Sequence, residues 1–175
     1  MTQLPQLRMR LDDISTLPQR DPPTGMRVRR ATNGDDDDAD GLALCLSQAF
    51  NDSWDAARVR SALLAAPEVV STWVVEADGQ IIATASLSTD AHHHPDAGVL
   101  HWVGALPTHA GLGLGSLVSV AALRICTDIG VRAAVLLTDD HRLPAIRTYL
   151  RLGFVPLYTD PSHADRWHQV LADMP

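Results

Sequence analysis

The stretch PTHAGLGLGSLVSVAAL, residues 107–123, places three glycines at alternate positions directly before an apolar run. The run predicts a helix over Gly113–Ile129, with Gly130 at its C-terminal cap. Glycine before a helix has an entropic cost, so we expect a compensating gain. Backbone N–H groups at a helix start, with no side chain in the way, can approach an anion closely. The stretch therefore predicts a loop that holds a phosphate.

Length and composition indicate one ordered domain. The chain has 175 residues, of which 46% are hydrophobic, and a formal net charge of −7, which disfavours a nucleic-acid partner. Cys45 and Cys126 lack CxxC spacing, so we expect buried thiols and neither a disulfide framework nor a metal site. No leader peptide or membrane-length apolar run is visible. These features predict a cytoplasmic protein without membrane contact.

Residues 1–25 carry prolines at positions 5, 18, 22 and 23 and predict an N-terminal arm that either packs in an extended form or stays mobile. We expect a single domain over residues 26–175, with the element order β-α-α-β-β-β-α-β-α-β-β. The clearest hairpin lies in STWVVEADGQIIATASLSTD, around Asp78-Gly79. FVPLY and RWHQVLA, at 154–158 and 166–172, are predicted as two closing strands. The fold class is α/β, with a mixed sheet.

The acidic run DDDD, residues 35–38, has two interpretations. Carboxylates are favourable in the first turn of a helix, which is the simpler interpretation. A divalent metal site is the alternative, but four consecutive aspartates cannot all point toward one ion. Likewise His92, His93 and His94 are adjacent and alternate sides in an extended chain, so we expect a polar loop, with a role in substrate binding left open.

Two familiar phosphate-binding motifs do not fit the glycine loop. A P-loop requires a lysine after its last glycine, and Ser116 follows Gly115 here. The dinucleotide-binding fingerprint has the spacing GxGxxG in a first βαβ unit, whereas this chain has GxGxG late in the sequence and after a hairpin.

A third motif does fit. ALPTHAGLGLGSLV and PAIRTYLRLGFVP resemble the two sequence motifs of the GCN5-related N-acetyltransferase (GNAT) family, in the correct order and separated by a strand. The second motif has Ala145, Tyr149, Gly153 and Phe154 in register. The segment SWDAARVRSALLAAP is similar to family members near mycothiol synthase. The resemblance covers residues 26–175 and implies a mixed sheet of about six to seven strands flanked by about four helices.

The resemblance also implies a co-substrate, acetyl-CoA, and the residues that bind it. Its diphosphate is expected on the loop and its pantetheine arm on the edge of the strand before it, where Gly104 marks either a bulge or a close packing contact. Two departures bear on affinity: Ala110 stands where the family has Gln or Arg, and Arg142 stands where it often has Asn. Arg142 either supplies a cation to the cofactor or faces solvent. The expected cofactor-binding residues are Val103, Gly104, Ala105, Leu106, Ala110, Gly111, Leu112, Gly113, Leu114, Gly115, Ser116 and Arg142.

The implied reaction is acetyl transfer to a primary amine of a small molecule or peptide, by direct attack in a ternary complex. Tyr149 matches the family's general-acid position. His101 is a candidate general base because of its intrinsic pKa, with Glu76, Asp90 and a water chain as alternatives. A protein that senses acyl-CoA, or uses the fold for interaction without turnover, is the rival hypothesis. Edge strands near the C-terminus make a homodimer an expectation.

Overall fold

A computed structural model describes residues 4–174, which form a seven-stranded mixed sheet with five α-helices. The fold class expected from the sequence is confirmed, with five helices instead of about four. The strands are β1 (Leu7–Leu11), β2 (Met26–Arg30), β3 (Val69–Ala77), β4 (Gln80–Thr89), β5 (Ala97–Ala105), β6 (Ala133–Thr138) and β7 (Val155–Leu157). The helices are α1 (Asp36–Phe50), α2 (Ala56–Val59), α3 (Leu114–Arg124), α4 (Leu143–Arg151) and α5 (His163–Ala172).

The strand order is β2-β3-β4-β5-β6-β1-β7. Neighbouring strands are antiparallel except β5 and β6, which are parallel. Eight consecutive residues of β4 are buried, which shows that both faces of the sheet are covered there. Asp78 and Gly79 turn β3 into β4 with φ of 50° and 77°, as the type I′ hairpin requires.

The N-terminal segment supplies strand β1, which lies between β6 and β7 and pairs with both. Of the two states left open for residues 1–25, this part takes the packed one, so the sheet includes residues before Met26. Leu7, Met9 and Leu11 are buried while the arginines between them are half-buried. That alternation is the strand period, which the proline-rich composition of the segment obscured.

The last predicted strand is wrong, because RWHQVLA belongs to helix α5. His163, Trp167 and Val170 are the buried residues of this segment, and their spacing of four and three matches one face of a helix. Helix α3 ends at Arg124, five residues earlier than predicted, and turns carry the chain to Gly130.

The acidic run forms the first turn of α1, as the simpler interpretation predicted. Asp35 caps the helix by accepting a hydrogen bond from the Asp37 N–H at 2.9 Å. Asp38 is buried and accepts from Arg29 at 2.6 Å and from the Thr32 N–H at 2.8 Å, so its charge is matched within the protein. Within residues 4–174, none of the helices reaches the length and hydropathy of a membrane span.

Candidate functional site

Strands β5 and β6 separate in the middle of the sheet. Their ladder runs from Ala97 opposite Ala133 to Leu100 opposite Leu136 and stops there, although β5 continues to Ala105. A cavity of about 320 Å³ lies at the separation. Its walls are Gln6, Phe50, Val99, Leu100, His101, Trp102, Val103, Leu137, Arg142 and Tyr149. The free edge of β5 is therefore available to a ligand that can hydrogen-bond like a strand.

A bulge in β5 accompanies this separation. Ser86 pairs with His101 and Thr84 with Gly104, so two residues of β5 oppose one of β4. Trp102 within the bulge has φ of 52°, a left-handed conformation that is uncommon for a bulky residue. Bulges bend a strand and increase its twist, which accounts for β5 leaving β6 at this point.

The conformation of Trp102 is held by aromatic packing. Its ring meets the rings of Trp54 and Phe50 edge-on, with centroids 4.7 Å and 5.8 Å away. The Arg58 guanidinium lies 3.9 Å from the Trp54 ring centroid on the outer side of this cluster. Such contacts offset the cost of a strained backbone of about 1–3 kcal/mol.

Gly104 is a packing glycine, which decides between the two roles left open for it. A Cβ atom there would lie 2.9 Å from Cβ of Ala49 and 3.1 Å from Cε2 of Phe50, closer than such atoms tolerate. The absence of a side chain lets the end of α1 press onto β5. The bulge itself begins two residues earlier, at Trp102.

The glycine loop is open to solvent and rich in unbonded donors. Gly111 and Gly113 have φ of 83° and 73°, and a Cβ atom at Gly111 or Gly115 would have no protein atom within 4 Å. For residues 111–116, the backbone N–H groups have no acceptor within the described part of the chain. Residues 114–116 are the first turn of helix α3, so the helix dipole adds to the attraction of these N–H groups for an anion.

The other loop residues contribute backbone groups more than side chains. The side chains of Leu114 and Ser116 are buried, Leu112 is exposed, and Ala110 is exposed and short. Among the expected cofactor-binding side chains of this loop, none carries a positive charge. The diphosphate site expected here would thus depend on N–H groups and on a cation from elsewhere.

Such a cation approaches from the N-terminal segment. Nη1 of Arg20 lies 3.8 Å from the position that a Cβ atom of Gly113 would take. The segment is held along α3 by a hydrogen bond from Arg124 to the Pro18 carbonyl at 3.4 Å. Sequence reasoning missed Arg20 because nothing local connects the proline-rich segment to a loop that lies over ninety positions later.

Arg142 lies in the cleft, at the N-terminal end of α4. Its Nη2 donates to the Val103 carbonyl at 3.4 Å, and its guanidinium lies 4.6 Å from the Phe50 ring centroid. The side chain of Arg142 therefore lines the cavity between β5 and β6 and does not simply point into solvent.

Tyr149 lies about two turns after Arg142 in helix α4 and lines the same cavity. The side chain is 5% exposed, and burial raises its pKa to about 12, with the Arg142 charge acting in the opposite direction. Within residues 4–174, its hydroxyl makes no hydrogen bond to another residue. A protonated phenol with a spare donor therefore faces the cleft.

His101 lies between the cleft and a second, neighbouring cavity of about 560 Å³. Burial lowers its pKa to about 4, partly opposed by the Glu68 carboxylate. Its Nε2 is buried with no partner in the described chain. The imidazole is consequently neutral near pH 7, and its ring lines both cavities.

The alternative bases differ in their surroundings. Glu76 accepts hydrogen bonds from Arg27 and Arg29 at 2.8 and 2.7 Å, away from both cavities, so its charge is already matched. Asp90 lines the second cavity but is 2.8 Å from Nδ1 of His93. Glu68, which sequence reasoning missed, faces the second cavity too. His93 and His94 line that cavity, whereas His92 only stacks edge-on with His93.

Comparison with known proteins agrees with this geometry. Residues 39–154 match the model of the "Acetyltransferase (GNAT) family". The mycothiol acetyltransferase of Pseudarthrobacter chlorophenolicus is 32% identical over 148 residues, which are 79% of this chain and 45% of that protein. The mycothiol acetyltransferase of Thermomonospora curvata is 32% identical over 163 residues, 89% of this chain and 52% of that protein. The chain thus spans about half the length of these curated relatives.

Solved structures share the fold. The GCN5-related N-acetyltransferase from Sphaerobacter thermophilus superposes with a TM-score of 0.66 at 20% identity, covering 88% of this chain and 50% of that one. AAC(6')-Iy, solved with the bisubstrate analog CoA-S-monomethyl-acetylneamine, gives 0.62 at 19% identity, covering 77% and 97%. With its fold, its divided strands and its matching sequence model, this chain belongs to the GNAT family of acetyltransferases.

Proposed function

We propose that the protein transfers an acetyl group from acetyl-CoA to a primary amine of a small molecule. The observation that carries this proposal is the separation of β5 from β6 beside a loop of unbonded N–H groups. Coenzyme A has a diphosphate at one end of an extended, amide-bearing arm. The loop and the strand edge offer complementary groups to these two parts.

The arm would lie along β5 between the bulge and Leu106. In this stretch β4 bonds one edge of β5, and the other edge has no strand partner within residues 4–174. Amide groups of the arm can replace the missing strand by forming main-chain hydrogen bonds. The thioester would then reach the part of the cleft lined by His101, Val103 and Tyr149.

Direct transfer requires no covalent carrier in the protein. The neutral amine nitrogen attacks the thioester carbonyl, a C–N bond forms, and the C–S bond breaks. One proton leaves the nitrogen and one arrives on the sulfur, so the products are an amide and a free thiol. Both cysteines are buried, and burial raises their pKa values to about 12 for Cys45 and about 11 for Cys126, so neither is suited to act as a nucleophile.

Tyr149 is the proposed donor to the departing sulfur. With a pKa of about 12 the phenol stays protonated across the physiological range. A free thiol has a pKa of about 8.5, so complete proton transfer from such a phenol is uphill, and its contribution is hydrogen bonding to the developing thiolate. A backbone N–H in the bulge near Val103 is the proposed donor to the carbonyl oxygen.

His101 is the proposed acceptor for the amine proton, acting directly or through water. It stands between the cavity that would hold the thioester and the one that would hold the amine, and its Nε2 has no partner in the described chain. Its low pKa makes it a weak base, so we expect the imidazole to pass the proton on to water and not to stay protonated.

The names of the similar proteins support the same reaction class. Two relatives are called mycothiol acetyltransferases, and the solved AAC(6')-Iy holds an analog that joins CoA to an acetylated neamine. These names concern those proteins. They favour a small-molecule amine as the acceptor of this chain.

The experiment is a measurement of thiol release from acetyl-CoA with a panel of primary amines. We expect release with at least one amine class, and a kcat about a hundredfold lower in Tyr149→Phe, the range for loss of one hydrogen-bond donor to a developing negative charge. Tyr158→Phe is the matched control, because Tyr158 is the exposed second tyrosine and should leave kcat unchanged. Coenzyme A binding without release across the panel would favour the rival hypothesis, an acyl-CoA sensor.

A further inference from the structure

The cavity of about 560 Å³ beside His101 contains two charged side chains of opposite sign that do not meet each other. Arg8 comes from β1, and Glu68 comes from the turn before β3. Neither side chain has a hydrogen-bond or ion-pair partner among residues 4–174. The other carboxylate of the cavity, Asp90, is already bonded to His93.

The two charges stand near different parts of the cavity wall. Glu68 is fixed at the end of β4, since its carbonyl accepts from the Thr89 N–H at 2.9 Å, and its charge acts on His101. Arg8 is opposite Leu137 in the ladder with β6, and its charge acts on His94. A ligand in this cavity therefore meets a carboxylate on the His101 side and a guanidinium on the β1 side.

We propose that this cavity binds the acceptor, and that the acceptor is zwitterionic: a primary amine that also carries an acid group. This rests on the proposed function. Glu68 attracts the ammonium form of the acceptor toward His101. There one proton passes to water, and the neutral amine attacks the thioester and gives its second proton to His101, as proposed above. Arg8 pairs with the acid group at the other end, because a guanidinium matches a carboxylate or phosphate in a two-point contact.

Arg8 also disfavours acceptors that carry more than one positive charge. A polycationic acceptor would bring a second positive charge against an unmatched guanidinium, and like charges in an interface are costly. A simple alkylamine would leave Arg8 without a partner. Preference for an acid-bearing amine over both is the distinguishing property.

The substrates tested are ω-amino acids of increasing length. Each amino acid is compared with the alkylamine and the diamine of the same length. In the native chain we expect kcat/KM for the best amino acid to exceed that of its alkylamine and diamine by about tenfold or more. In Arg8→Gln the ratio of amino acid to alkylamine should fall to about one. Arg10→Gln is the matched control, since Arg10 lies on the same strand and is held by Asp12 and Asp96, and it should keep the native ratio.

Glu68→Gln should lower kcat/KM for every amine while preserving the order of preference among the amines. Asp128→Asn, which replaces an exposed carboxylate elsewhere, is the control and should leave kcat/KM unchanged. Equal use of amino acids and alkylamines by the native chain, preference for diamines, or an unchanged ratio in Arg8→Gln would overturn the proposal. If no amine is acetylated, the proposed function fails. Calorimetry of the same probes on the CoA-saturated protein then decides this proposal separately, by whether amino acids bind tighter and lose that advantage in Arg8→Gln.

Discussion

The Arg142 guanidinium donates a hydrogen bond to the Val103 carbonyl at 3.4 Å and thereby connects the start of α4 to strand β5 across the cleft. The contact occurs where the ladder between β5 and β6 has already ended. One side chain thus bridges the opening that the strands leave, next to the cavity wall that includes Tyr149. The cleft is held open by the bulge and limited in width by this arginine.

Replacing Arg142 with methionine should weaken the use of acetyl-CoA. Met retains the packing on Phe50 but removes the charge and the bond to Val103, and a hydrogen bond from a charged group contributes about 1.5–3 kcal/mol. We expect kcat/KM for acetyl-CoA to fall about tenfold in steady-state assays. Arg151→Met, at the exposed end of the same helix, should behave like the native chain. An unaltered kcat/KM in Arg142→Met would mean that the arginine has no part in the site.

Gly113→Val should weaken coenzyme A binding. The new side chain enters the open space in front of the loop, where the diphosphate is proposed to lie, and we expect the calorimetric Kd to rise about tenfold or more. Gly130→Val is its matched control, because Gly130 has a similar φ of 76° and a Cβ atom there would have no protein atom within 4 Å, whereas one at Gly113 would meet Arg20 Nη1 at 3.8 Å. Both variants should lose similar stability through the positive φ, about 1–2 kcal/mol. Equal coenzyme A affinity in the two variants would contradict a phosphate site at the loop.

Arg20→Ala should reduce the affinity for coenzyme A but leave that for pantetheine, which has no diphosphate, as it is. Arg20 approaches Gly113 from outside, and an exposed charge pair contributes up to about 1 kcal/mol, or about fivefold in Kd. The salt dependence of coenzyme A binding should also become shallower. Arg151→Ala is the control for loss of a surface charge. A parallel loss for both ligands would assign Arg20 a structural role instead.

His101 should make the stability depend on pH in a defined window. Burial lowers its folded pKa to about 4, below the ordinary value of 6.5, so between these values the unfolded chain binds a proton that the folded chain does not. Above pH 6.5 the titration of His101 does not lower the free energy of unfolding. As the pH falls from 6.5 toward 4, this titration lowers the free energy of unfolding by at most about 3 kcal/mol. Urea unfolding at pH 7 and pH 4.5 should show a smaller decrease in His101→Gln than in the native chain.

His168→Gln, which replaces an exposed histidine, is the control for that measurement and should keep the native decrease. Several aspartates whose pKa values are lowered by hydrogen bonds, such as Asp96 and Asp140, also reduce stability in acid. For this reason the difference between variant and native chain is the informative quantity. An identical decrease in His101→Gln would show that the imidazole is solvated.

Local sequence patterns predicted most of the fold. The Asp78-Gly79 turn, the helix after the glycines and the capped first turn of α1 all follow from contacts between residues close in the chain. Strand β1 was missed even though Leu7, Met9 and Leu11 alternate with arginines, because the neighbouring prolines suggested an arm. Helix α5 was mistaken for a strand, since a short apolar run does not distinguish the two periods.

By itself, the sequence determined the loop of open N–H groups and the position of Tyr149 on an amphipathic helix, since both depend on the local backbone and its spacing. Only the tertiary structure decided that β5 leaves β6 at a bulge on Trp102 and that Gly104 serves packing. It also decided that Arg8 lines the cavity beside His101 and that Arg20 lies near Gly113. The physical reason is that these features depend on which distant segments pack together. The spacing of residues along the sequence carries little information on such contacts, because they form between residues that only folding brings together.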